Sequence, residues 1–150
     1  MTASHPAGQA PAAGQDGLVD ALVQAAFMTM AVLSKAAADS DLSLTQLRVL
    51  AILRDRRVRV TVLASYLGLE KSTMSGLVDR AEKRGLLGRA PSAGDGRAVD
   101  VFLTAAGAEL AERLYAHVER SLHPMTSKLV PAEQRRLQAL MERMLGPHQS

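Results

Sequence analysis

The chain has no cysteine among its 150 residues. Disulfides, thiolate nucleophiles, Cys-ligated zinc and thiol-based redox sensing are therefore excluded. Tryptophan is also absent, and aromatic residues make up only 3% of the chain. Because 47% of the residues are hydrophobic, a core must be built mostly from Ala, Leu, Val and Met. Ala and Leu cost least to order in a helix, so this composition favours a mainly α chain. The length fits one domain with one sizeable core.

No export signal is visible either. Residues 1–16, "MTASHPAGQAPAAGQD", have neither a basic start nor an apolar run, and they read as a disordered tail. The most hydrophobic segment, "ALVQAAFMTMAVLS" at 21–34, is only 14 residues long and is bounded by Asp20 and Lys35. A bilayer span needs about 20 residues. The expectation is a very apolar helix in a cytoplasmic protein.

The net charge is +3, and its distribution is uneven. Ten Lys/Arg and five acids lie between Arg54 and Arg97, giving that stretch +5 and leaving −2 for the rest. A basic middle between slightly acidic ends fits a polyanion-binding module carried on a different scaffold. An ordinary solvated surface is the alternative.

Hydrophobic spacing divides the chain. Leu18, Leu22, Val23, Ala26, Phe27, Met30 and Leu33 fall at helical intervals, predicting a first helix to about residue 38. Ser43, with Gln46 three residues on, is a capping-box signature for a second helix. Val58 and Val60 in "RDRRVRV" suggest a short extended piece. Thr61 can cap a short helix, Gly68-Leu69 makes a tight turn, and a second short helix runs from Lys71 to about Arg84, stopped by Gly85. Leu86-Leu87 begin a strand. The Gly-rich loop around Gly94 and Gly96 reverses the chain, with Asp95 and Arg97 near its tip, and residues 98–103 return. Thr104 caps a long helix that should kink or break at Pro124, and Pro131 opens the last helix. The order is a helix-turn-helix followed by a β-hairpin, set between outer helices: a mainly α winged helix-turn-helix.

On a helical wheel, Met74, Leu77, Val78 and Ala81 form the buried stripe of "KSTMSGLVDRAEKR". The opposite face opens with Lys71, Ser72, Thr73 and Ser75. Short hydroxyls and one cation at the positive end of a helix dipole suit phosphate, and hydroxyls can also bond base edges. A polar first turn that only needs capping is the bland reading. Gly76 lies on the exposed face and costs about 1 kcal/mol against alanine, which suggests close approach to something flat. Glu70, at the capping position, would repel a nearby phosphate.

At this point the chain resembles the MarR family of bacterial transcription regulators, from about Leu18 to Leu145. The segments that carry the resemblance are "LSLTQLRVLAIL" and "VTVLASYLGLEKSTMSGLVDRAEKRGLLGRAPSAGDGRAVDVFLTAAGAEL". They include "LVDRAEKRGL" and the wing pattern met by Asp95, Arg97, Leu103 and Thr104. The resemblance implies a homodimer on a pseudo-palindromic operator, with residues 71–84 in the major groove. It makes Lys71, Ser72, Thr73 and Ser75 the groove-facing residues and Arg80 a phosphate contact. Arg97 would enter the minor groove from the wing, with Asp95 holding its guanidinium. The sequence departs from the family pattern at Glu70 and Gly76. A thin glycine loop can deliver an arginine into a groove that concentrates negative potential; a solvated turn arginine paired with Asp95 is the alternative.

The outer helices look too apolar for a lone chain, with Phe27, Met28, Met30 and Val32 in the first and Leu137, Leu140, Met141, Met144 and Leu145 in the last. The expected division is a tail at 1–16, a dimerisation region at 17–42 and 105–150, and a DNA-binding lobe at 43–104. The resemblance further implies a small-molecule effector in a cleft between these regions, which Met-rich helices could line; no ligand residue is nominated. His117 and His123 are not a convincing metal pair, and no cofactor, phosphate loop or acid–base pair is evident. An enzyme therefore finds little support. The leading expectation is a ligand-responsive repressor that binds double-stranded DNA. A winged helix that binds protein is the alternative, with Glu70, Asp79 and Gly76 as its support.

Overall fold

A computed structural model of the chain describes residues 15–146. The expected tail at 1–16 lies outside these residues except for its last two positions, where the first helix already begins. Helix α1 spans Gln15–Asp39. The chain divides into two compact units, and the boundary between Ala31 and Val32 falls inside this helix. In the first unit residues 17–31 are exposed apart from the half-buried Thr29, with Phe27 at 73%. By length and composition alone, Gly17–Asp39 could cross a membrane. The core helix of a soluble protein and a signal sequence meet the same two criteria.

The second unit carries the rest. Helix α2 (Leu44–Leu53) opens on the predicted capping box. The Gln46 N–H donates to Ser43 Oγ at 3.1 Å, and the Ser43 N–H donates to Gln46 Oε1 at 2.8 Å. Strand β1 (Val58–Arg59), helix α3 (Val60–Leu67) and helix α4 (Lys71–Lys83) follow. Thr61 does not cap α3. Val58 and Arg59 pair with Val101 and Asp100, so the chain leaves the sheet directly into the helix, and Arg59 takes the cap position in extended backbone.

Strands β2 (Leu87–Ser92) and β3 (Asp95–Leu103) form the hairpin, and the antiparallel sheet runs β1-β3-β2. The return strand starts at Asp95 rather than at residue 98. Ser92 pairs with Asp95, so the turn is only Ala93-Gly94, with Gly94 at φ +82°. That left-handed backbone suits glycine. Pro91 then pairs with Val99, which leaves residues 96–98 as a bulge in β3.

Helix α5 (Ala105–Thr126) starts at the predicted cap: Thr104 Oγ1 accepts from the Gly107 N–H at 3.1 Å and donates to the Gly85 carbonyl at 2.5 Å. Pro124 lies inside α5, and the break comes just after it, at Ser127. Helix α6 (Pro131–Leu145) opens on Pro131 as expected and has no buried residue.

The core lies under the sheet and helices α2–α5. Its fully buried side chains are Val49 of α2, Leu63 of α3, Met74 and Val78 of α4, and Val101 of β3. Removing such side chains from water, at about 25 cal/mol per Å² of apolar surface, holds α4 and the hairpin in a fixed relation.

Candidate nucleic-acid interface

Helix α4 presents the face that its sequence pattern predicts. Met74, Leu77, Val78 and Ala81 are buried. Lys71, Ser72, Thr73 and Arg80 are exposed, and Ser75 and Gly76 are half-buried. Gly68, at φ +63°, turns the chain from α3 into α4. Glu70 is the N-cap, but its side chain makes no capping bond. No side chain therefore takes up the first-turn N–H groups of α4, which leaves them open to an anion.

The space at Gly76 is not empty. A Cβ there would sit 3.4 Å from Arg80 Nη1. That is an ordinary van der Waals distance to the end of a flexible side chain, so nothing in the local packing requires glycine here. Arg80 forms no ion pair among the described residues.

The wing differs from the expectation in one contact. Asp95 Oδ1 accepts from the backbone N–H of Arg97 at 3.1 Å, and no ion pair joins Asp95 to the Arg97 guanidinium. The two-residue separation explains this. An aspartate readily bonds the main chain two residues on in a turn, and the bulge turns the Arg97 side chain into solvent. Asp95 shapes the loop, and the guanidinium stays free. Next to the turn of the wing, the buried Ser92 hydroxyl donates to Asp100.

Arg89 is the residue beside this face that sequence reasoning missed. From β2 it reaches across to α4. Its Nη2 donates to Asp79 Oδ1 at 2.7 Å and to the Ser75 carbonyl at 3.3 Å, and its Nη1 donates to Glu82 Oε2 at 2.8 Å. One cation thus neutralises two of the three acids on α4 and its cap, and it ties the wing to the helix. A signal was present, since Asp79 and Glu82 lie three apart and share a face. Their partner is distant in sequence, so helix periodicity could not supply it. A second tether holds the far end of α4: the Arg84 guanidinium donates to the Asp41 carbonyl at 2.7 Å and to the Ser40 carbonyl at 3.1 Å.

This sheet order, with an open helix N-terminus beside a hairpin, is a winged helix-turn-helix. Residues 40–98 match the family model described as MarR family. These residues, under half of the chain, resemble the winged helix-turn-helix of the MarR family. A curated relative, the uncharacterized HTH-type transcriptional regulator YfiV of Bacillus subtilis (strain 168), is 33% identical over 94 residues. The match takes in 62% of this chain and 59% of that protein, so the chain spans under two thirds of the relative's length. Among solved structures, transcriptional regulator Tm0710 from Thermotoga maritima superposes with a TM-score of 0.67 at 26% identity, over 88% of this chain and 94% of that one. A mutant MarR from E. coli, complexed with operator DNA, gives 0.66 at 23% identity over 87% of this chain and 94% of that one. At that identity it shows a shared fold alone.

Proposed function

We propose that the chain is a transcriptional regulator, acting as a repressor, that binds a pseudo-palindromic operator as a homodimer. The observation that carries this reading is the charge arrangement on α4 and the wing. Lys71, Arg80 and Arg97 are exposed and free of ion pairs, while Asp79 and Glu82 are occupied by Arg89. Lys71, Ser72, Thr73 and Ser75 then face the major groove, Arg80 meets a phosphate, and Arg97 enters the minor groove. The solved operator complex of E. coli MarR supports the choice of partner. Residues 43–104 form the DNA lobe. Residues 17–42 and 105–150 pair with a second copy, which covers the apolar surfaces of α1 and α6 and removes any need for a membrane.

A cavity of about 280 Å³ beside α5 supports control by a small molecule. Leu33, Leu47, Leu50, Leu114 and Val118 line it, and Arg54 is its only cation. The Arg54 guanidinium lies 4.1 Å above the Tyr115 ring, and its Nε is 3.6 Å from Glu112. No methionine lines this cavity, contrary to the expected Met-rich cleft. An occupant there would push α5 away from α2 and respace the two recognition helices, releasing the operator.

Two variants test the interface. Arg97→Ala should weaken operator binding by about 1–3 kcal/mol with the fold unchanged, measured by fluorescence anisotropy. Arg80→Ala should weaken binding to all sequences alike, and a switched base preference would show that its role is misassigned. Arg89→Met should cost only about 1 kcal/mol of stability, because the pair is partly solvated. It should also lower operator affinity about tenfold, equivalent to about 1.4 kcal/mol, by leaving two carboxylates bare beside phosphate. Adding Asp79→Asn and Glu82→Gln should restore most of that loss. No recovery in the triple variant would show that Arg89 acts by another route.

A further inference from the structure

A second recess, of about 170 Å³, lies between the last turn of α1 and the middle of α5. It adjoins the Arg54 cavity at Leu114, which lines both, and its walls belong to the two segments assigned above to pairing. Helical spacing builds both walls. Ala36 and Asp39 share one face of α1 with Ser40 just past its end, and Leu110, Arg113, Leu114 and His117 share one face of α5. Ala36 and Leu114 are buried and Leu110 is half-buried, so the floor is apolar. Asp39 and Arg113 are exposed and stand at its edge.

The charges at that edge are opposite and unjoined. No ion pair connects Asp39 with Arg113, although both line the recess. Asp39 meets only Lys35, at 3.1 Å on an exposed face, a contact of little strength. Arg113 and His117 have no hydrogen-bond, ion-pair or ring partner among the described residues.

We propose that this recess binds a small zwitterion of the apolar α-amino acid class. The ammonium faces Asp39, the carboxylate faces Arg113 and His117, and the side chain rests on Ala36, Leu110 and Leu114. A simple anion would leave Asp39 beside it unsatisfied, and a simple cation would meet Arg113. The volume is below the roughly 300 Å³ at which sites for drug-sized ligands begin. The recess also adjoins the α4 tether: Ser40 lines it, and the Ser40 carbonyl accepts from Arg84. An occupant therefore touches the turn that holds the end of the recognition helix.

Calorimetric titration of the full chain with L-leucine tests the proposal without any DNA. Saturable binding is expected, with a Kd below about 1 mM. Isocaproate, which lacks the ammonium, and isoamylamine, which lacks the carboxylate, should each bind at least about tenfold more weakly, as should leucine to Arg113→Ala and to Asp39→Asn. Both side chains are exposed, so both variants should keep the wild-type circular dichroism spectrum. The proposal is overturned if leucine does not bind, if isocaproate binds as tightly as leucine, or if neither substitution weakens leucine.

Discussion

Replacing Gly107 with alanine is expected to destabilise the chain by about 3 kcal/mol or more, at the upper end for overpacked sites. Gly107 is buried in the first turn of α5. A Cβ there would lie 2.0 Å from the Leu86 carbonyl oxygen and 2.9 Å from its carbon. Both atoms are backbone, so no rotamer change relieves the overlap. The Leu86 oxygen is also fixed, because it accepts the Thr104 N–H at 3.1 Å. Relief requires the start of α5 to move off the base of the hairpin, which would break the Thr104 cap as well. Alanine has the better helix propensity by about 1 kcal/mol, but that gain is smaller than the steric cost. Gly76→Ala is the control of opposite sign. Its new Cβ meets only the flexible end of Arg80, so propensity should dominate and stability should rise slightly. Urea unfolding measures both. Equal stability for Gly107→Ala and the wild type would contradict the packing described between β2 and α5.

The second large effect is expected at α6. The Leu140→Glu/Met144→Glu pair places two charges on a helix whose side chains are all exposed in the single chain. The winged helix-turn-helix should keep its fold, since α6 contributes nothing to the buried core. The surface proposed to meet a second copy would be lost. Sedimentation should show a single chain, and operator affinity should fall by about 10²–10⁴-fold, as expected when two linked half-sites become independent. A variant that still sediments as a dimer, or that binds DNA undiminished, would remove α6 from the pairing surface.

What the sequence made legible was local. The Ser43–Gln46 box, the Thr104 cap, Pro131 at a helix start and the Met74–Ala81 stripe each depend on residues within about one turn of one another, and each appears as read. The misses involve pairing between distant segments. Thr61 looked like a cap because nothing in "RDRRVRV" reveals that Val58 will pair with Val101. The wing strand looked shorter because the bulge at 96–98 hides the pairing of Asp95 with Ser92. Asp95 was assigned to the Arg97 side chain, and it holds the main chain instead. Asp79, a feature that could favour a protein partner, is engaged by Arg89, which is distant in sequence. Glu70 remains exposed and uncapped beside the helix N-terminus, as its position in the sequence implied.

The most direct test of the central claim is the affinity of the purified chain for duplex DNA from upstream of its own coding region, measured across a salt series. Lys71, Arg80 and Arg97 from two copies supply six phosphate-region contacts. At about −0.9 per neutralised phosphate, the log–log slope should be near −5, with two chains bound per duplex. Binding that is absent at low salt, or that is indifferent to salt with one chain per duplex, would contradict the account.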